Sequence, residues 1–138
     1  SVVKVNLSVG IGTFQPIVTD SIDEHVMHSE RYSVENDVWE TIQKAKRVIA
    51  VGTTVVRTLE SVASTGRLEG RTELYIKPGF QFRVVDSLLT NFHLPKSTLL
   101  VMIEAFMGKS WKSLYHLALK EGYRFLSFGD AMFIERGE

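Results

Sequence analysis

Arg47-Val48-Ile49-Ala50-Val51-Gly52-Thr53-Thr54 decides how this chain is read. A continuous apolar run meets a glycine and passes straight into two hydroxyl residues and a second periodic segment. Apolar residues without polar alternation predict a strand buried on both faces. Upstream, Asn36 caps a helix whose apolar positions Val38, Trp39, Ile42 and Ala45 fall on one face. Downstream, Val55, Leu59 and Val62 mark a second helical stripe, which Gly66 ends. Helix, strand and helix in succession indicate an α/β fold with a mixed sheet or barrel-like wall. Residues 1–138 are read as one α/β portion.

Working outward, Val2 to Val9 reads as a strand, followed by the glycine turn Gly10-Ile11-Gly12-Thr13-Phe14-Gln15-Pro16. Ile22 to Glu24 is a short helical turn, and the polar run His25 to Val34 ends in strand-like alternation. Glu73–Lys77 and Gln81–Val85 are strand-like runs split by Pro78-Gly79-Phe80, a hairpin pattern. Leu99 to Met107 is apolar on nearly all sides and reads as a buried helix. Ser110 caps another, with Trp111, Leu114, Tyr115 and Ala118 on its inner face. Tyr123–Phe128 and Ala131–Ile134 read as closing strands.

The composition sets bounds. The chain has 138 residues, enough for a real core, with 44% hydrophobic and 23% charged residues, as in a soluble globular protein. Sixteen basic residues balance sixteen acidic ones, so any nucleic-acid contact must come from a local patch rather than from overall charge. The absence of cysteine removes disulfides, thiolate zinc sites and cysteine nucleophiles. No apolar run is long enough to span a bilayer, so a cytoplasmic location without membrane attachment is expected. A strand opening almost at the first residue suggests part of a larger protein.

Several stretches carry chemistry. Thr90-Asn91-Phe92-His93-Leu94-Pro95-Lys96-Ser97-Thr98 puts an amide, an imidazole, an ammonium and hydroxyls between two apolar runs, as a ligand-facing loop does. Pro95 fixes its backbone and Ser97 is placed to cap the next helix. The same letters also suit a capped connector. Gly52, Thr53 and Thr54 at a helix start make an anion or ribose cradle, to which Arg57 adds a cation, or else an ordinary turn. The Walker pattern is absent. Gly10, Gly12, Thr13 and Phe14 lack the third glycine of a dinucleotide fingerprint but suit close backbone approach. His25-x-x-His28-x-Glu30 would share a face if helical, as a metal site, an acid–base pair or a surface feature. His93 and Asp130 are candidates of the same sort. Tyr123-Arg124-Phe125 offers a cation between rings.

These motifs, in order, resemble the S-adenosylmethionine:tRNA ribosyltransferase-isomerase family of queuosine biosynthesis. The likeness runs through Val9-Gly10-Ile11-Gly12-Thr13-Phe14-Gln15-Pro16, Glu24-His25-Val26-Met27-His28-Ser29-Glu30 and Ala50-Val51-Gly52-Thr53-Thr54. It continues through Ile76-Lys77-Pro78-Gly79-Phe80, the stretch Val85 to Leu99, and Tyr123-Arg124-Phe125-Leu126-Ser127-Phe128-Gly129-Asp130-Ala131-Met132. The family's proteins are longer, and the chain resembles their C-terminal part, with a smaller β-rich domain outside it. Where the family usually has a histidine before the first Val-Gly pair, this chain has Ser8.

The resemblance implies a transferase that moves the ribosyl part of S-adenosylmethionine onto 7-aminomethyl-7-deazaguanine in tRNA. Epoxyqueuosine forms, and adenine and methionine leave. It implies no metal and no cofactor beyond S-adenosylmethionine as co-substrate, with precursor-bearing tRNA as partner and a monomeric state. Base or acid work falls to His25, His28, Glu30 and His93. Gly10, Gly12, Thr13, Phe14, Gly52, Thr53, Thr54 and Arg57 would hold the adenosyl substrate. Thr90, Asn91 and Asp130 would orient polar edges, with Lys96 and Arg124 toward tRNA phosphate. The helix start, the histidines and the Pro95 loop would then converge on one adenosyl-sized cavity. The alternatives are a non-catalytic adenosine- or RNA-binding fragment of such an enzyme, and an unrelated metal-dependent hydrolase.

Overall fold

The computed structural model describes residues 1–137. Six strands form two three-stranded sheets. Strands β1 (Asn6–Ser8), β2 (Glu30–Ser33) and β4 (Glu69–Thr72) pair antiparallel in the order β1-β2-β4. Strands β3 (Ile49–Val51), β5 (Ser87–Asn91) and β6 (Ala131–Glu135) form the second sheet. There β3 runs parallel to β5 and β6 runs antiparallel to it, with Ala50, Leu88 and Ile134 in one row. The helices are α1 (Asn36–Lys44), α2 (Thr53–Thr65), α3 (Thr98–Met107) and α4 (Trp111–Lys120). The fold is α/β with a mixed sheet, as its sequence pattern indicates, and an antiparallel sheet stands beside it.

Helix α2 lies between the sheets. Its Val56 and Leu59 join the larger core with Ala50, Leu88, Ile103, Phe106 and Ile134, while Val62 packs with Tyr32 and Val34 of the smaller core. Gly52 starts α2 with φ +97°, and Gly66 closes it with φ +70°. Both angles lie where a side chain is strained, so glycine is required at each end. Ser97 caps α3 as expected, its Oγ accepting the Leu100 N–H at 3.1 Å. At α1, Asn36 is the first helical residue rather than the cap, and its amide bonds Glu40.

Four other expectations are corrected. Strand β3 is an edge strand, and Ile49 and Val51 are exposed on its outer face, so only Ala50 is fully buried. The first strand covers three residues, and Val2 is exposed. The Pro78-Gly79 turn forms, with Phe80 N–H donating to Lys77 O, but no hairpin flanks it. The donors that would have paired across a hairpin go to a side chain. Glu60 on α2 is fully buried and accepts the N–H groups of Arg83, Val84 and Val85 at 2.9, 3.0 and 3.0 Å. Finally, Tyr123–Phe128 is a bend rather than a strand. Leu126 has φ +58° and donates its N–H to Phe92 O, while Phe125 stacks on Phe92.

Replacing the Glu60 acceptor tests this packing. Glu60→Ala leaves three buried or half-buried amides without a partner and is expected to lower urea-unfolding stability by about 3 kcal/mol or more. A loss under about 0.5 kcal/mol, the size of an ordinary surface change, would show that the 83–85 loop holds itself.

Candidate functional site

The site is built from the inner face of β2. Glu30, the strand's first residue, points inward, where it is almost fully buried and pairs with Arg57 of α2. Its Oε1 also accepts the Gly10 N–H at 3.0 Å and the Thr13 hydroxyl. Arg57 sits one turn into α2, and its Nε donates to Leu74 O at 3.3 Å. Its Nη2 is buried with no hydrogen-bond partner among the described residues. Burial alone would raise the Glu30 carboxyl pKa. The hydrogen bonds from Thr13 and Gly10 and the charge of Arg57 outweigh it and hold the pKa below the usual carboxylate value. Four segments therefore meet at one ion pair: the glycine loop and β2 at the Glu30 carboxylate, and the start of α2 and the chain near Leu74 through Arg57.

The histidines flank this pair. Residues 25–29 are not helical, so His25 and His28 do not share a helical face. His28 lies over Gly12, where a Cβ would overlap its ring, and its Nε2 is 3.3 Å from Gln15 Oε1. His25 meets the edge of Tyr75 with ring centroids 5.7 Å apart. Burial, with Asp23 nearby, raises the Tyr75 pKa, and its hydroxyl is buried without a partner among the described residues. Lys77 Nζ pairs with Asp23 at 2.6 Å and lies 5.5 Å from the Tyr75 ring centre. Sequence patterning singled out neither Tyr75 nor the Lys77–Asp23 pair. Among the described residues, no three His, Asp or Glu side chains are grouped as for a metal ion.

The second group stands at the carboxyl ends of the parallel strands. The Gly52 N–H donates to Leu89 O at 2.8 Å, so the start of α2 is fixed beside β5. Thr53 is buried and Thr54 half-buried. At the end of β5, Thr90 Oγ1 lies 3.1 Å from His93 Nε2, and the Tyr115 hydroxyl accepts the His93 N–H at 2.9 Å. Burial pushes the His93 imidazole down to about 4 and the Tyr115 phenol up to about 12. His93 is thus a neutral ring at physiological pH. Lys96, with φ +56°, accepts the Ile17 N–H at 2.7 Å through its carbonyl, which ties the Pro95 loop to the segment after the glycine turn.

Asn91, Arg124 and Asp130 form a third group. Asn91 Nδ2 donates to Asp130 O at 3.3 Å, and the Asp130 carboxylate accepts the Arg124 N–H and lies 3.5 Å from Arg124 Nε. Tyr123 and Phe125 turn toward Phe92 instead of enclosing Arg124. One further expectation is corrected. Arg57 is bound to Glu30 rather than open at the Gly52–Thr54 cradle, because a buried guanidinium needs a counter-charge. None of the helix start, the histidine loop and the Pro95 loop lines either of two surface depressions of about 300 Å³ each. One is lined by Arg31, Glu69, Gly70 and Arg71, and the other by Lys46, Arg47, Asp86, Ser87, Glu135 and Arg136. Phe14 is exposed beside the glycine turn.

This geometry defines an α/β protein whose polar loops gather where parallel strands end, the usual ligand edge of such sheets. The model of the queuosine biosynthesis protein family matches residues 1–134, and the chain belongs to that family. Among its curated relatives, the S-adenosylmethionine:tRNA ribosyltransferase-isomerase of Carboxydothermus hydrogenoformans is 54% identical over 95% of this chain and 41% of that protein. The protein of the same description from Natranaerobius thermophilus is 52% identical over 97% of the chain and 42% of its own length. The crystal structure of S-adenosylmethionine tRNA ribosyltransferase from Thermotoga maritima superposes with a TM-score of 0.73 at 46% identity, covering 76% of this chain and 40% of that one. The chain thus spans about two fifths of the length of the curated relatives it matches.

Acid should destabilise the protein through His93. The unfolded chain takes a proton near 6.5, whereas the folded ring stays neutral to about 4. Stability is then complete above 6.5 and falls by up to about 3 kcal/mol as pH drops to 4. Glu30, whose pKa is lowered, adds a further loss below its ordinary 4.5. Urea denaturation across this range should show the slope, and His93→Asn should flatten it between 6.5 and 4.5. An unchanged slope in the variant would place the titration elsewhere.

Proposed function

We propose that this chain supports ribosyl transfer from S-adenosylmethionine to 7-aminomethyl-7-deazaguanine in tRNA, with isomerisation to epoxyqueuosine and loss of adenine and methionine. The observation that carries the reading is the match at about half identity to enzymes of that name over nearly the whole chain. S-adenosylmethionine acts as co-substrate, no further cofactor is called for, and the chain works as a cytoplasmic monomer on precursor-bearing tRNA.

The chemistry asks for a base, because a sulfonium acidifies the adjacent C–H, and for a donor to the departing adenine. His93 would take the first task with a neutral ring held by Thr90, burial making it a weaker base than a free imidazole. His25 and His28, on the loop beside the glycine turn, suit proton delivery. Glu30 is better assigned to anchoring than to proton transfer, because both its oxygens are engaged by Gly10, Thr13 and Arg57. Gly52, Thr53 and Thr54 would receive the ribose or the methionine carboxylate, with Gly10, Gly12, Thr13 and Phe14 closing the other side. Asn91, Asp130 and Thr90 would orient polar edges. Lys96 and Arg124 would face the tRNA backbone, Arg124 while held by Asp130.

A second reading is favoured by one observation, that the chain spans about two fifths of the length of the relatives it matches. In it the chain binds an adenosine-like ligand or RNA, and groups from the rest of a longer protein complete the catalytic site. Chromatographic detection of adenine released from S-adenosylmethionine with precursor-bearing tRNA separates the two. The catalytic reading predicts release, with His93→Ala and His28→Ala each slower by about 100-fold. Ligand binding without any adenine would favour the second reading, and full turnover by either variant would remove that histidine from the mechanism.

A further inference from the structure

The outer face of the antiparallel sheet carries a feature that the adenosyl chemistry leaves unused. Ser8, Arg31 and Arg71 form one row across β1, β2 and β4, with Arg31 directly opposite Arg71. Both arginines are exposed. Like charges facing each other across a sheet are destabilising, and neither guanidinium makes an ion pair among the described residues. Arg71 is nevertheless held in place: its Nε donates to Ser29 Oγ and its Nη2 to Ser29 O, both at 2.9 Å. The two side chains line a depression of about 300 Å³ with Glu69 and Gly70. An unfavourable cationic pair, one member of it fixed, beside an open hollow fits an anion with several acceptor oxygens.

Its position narrows the ligand. Arg31 follows Glu30 and points to the opposite face, so the arginine row and the Glu30–Arg57 pair lie on the two sides of one strand. Ser29, which anchors Arg71, directly follows His28. An anion held here therefore sits next to the histidine loop, and it is held by guanidiniums, which suit phosphate better than ammoniums do.

We propose that Arg31 and Arg71 form a nucleic-acid phosphate clamp that seats the tRNA backbone beside the His25–His28 loop. This rests on the tRNA-directed reading given above and adds to it a binding surface separate from Lys96 and Arg124.

The test uses the 138-residue chain and filter retention of an unmodified tRNA transcript over a range of salt concentrations. Arg31→Glu is the decisive variant, because Arg31 makes no side-chain hydrogen bond among the described residues and the new carboxylate would face Arg71. Its melting temperature is expected to equal or exceed that of the wild type. Its tRNA affinity is expected to fall about tenfold or more, and the slope of log K against log salt to become shallower by about one unit for each phosphate no longer neutralised. Arg71→Ala should act in the same direction, and replacing Lys109, exposed in the Gly108–Ser110 turn between α3 and α4, by Ala should leave affinity unchanged. If wild type retains tRNA and Arg31→Glu retains it equally, with the same slope, the clamp is wrong while the tRNA reading stands. If wild type retains no tRNA, both fall. Displacement of tRNA by inorganic phosphate, where chloride of equal ionic strength has no effect, would identify a free-phosphate site and overturn the nucleic-acid assignment.

Discussion

The buried pair of Glu30 and Arg57 is the interaction on which the arrangement of the site depends. Taking two charges out of water is expensive, and their mutual attraction offsets that cost only when the remaining lone pairs and protons are also satisfied. Here most of them are. Thr13, the Gly10 amide and Leu74 O complete the set, and a single Arg57 nitrogen stays without a partner among the described residues. Two apolar residues could fill the same volume, but they could not accept the Gly10 amide and Thr13 hydroxyl that tie the glycine loop to this carboxylate.

Helix α2 organises both halves of the molecule by the same means. Arg57 faces the antiparallel sheet, and Glu60, less than a turn later, gathers three amides of the 83–85 segment. Ser61 adds a hydrogen bond to Thr72 at 2.6 Å. A helix polar at buried positions is unusual, because polar groups there must all find partners. Here the partners are loops, so the helix fixes irregular segments that no sheet ladder holds. The start of α2, bonded to β5, then presents Gly52, Thr53 and Thr54 beside the Pro95 loop.

The regular elements were legible because their signals are local. The apolar stripes of α1, α2 and α4, the all-apolar α3, and the Ser97 and Gly66 caps can each be read from a few neighbouring residues. Strand β4 was not legible: Glu69-Gly70-Arg71-Thr72 has no apolar alternation, since its inner face offers Gly70 and Thr72 to Tyr32 and Ser61. The 73–85 hairpin failed for a reason no local pattern contains, the Glu60 acceptor more than twenty residues away. At the site, the motifs named the segments, and the geometry changed several roles. Glu30 and Arg57 read as a base and an open cation, but they are each other's partners. Tyr75 gave no signal, since a tyrosine in an apolar run looks like core.

Membership of the queuosine biosynthesis family and the meeting of its Gly10–Thr13 and His25–Glu30 motif segments with α2 at one buried ion pair belong together. If the pair couples those segments, its two members must act as a unit. A double-mutant cycle with Glu30→Gln and Arg57→Met, read by urea denaturation, measures this directly. The account predicts a coupling of about 2–3 kcal/mol, with each single change nearly as costly as the double. Effects that add to within about 0.5 kcal/mol would contradict it.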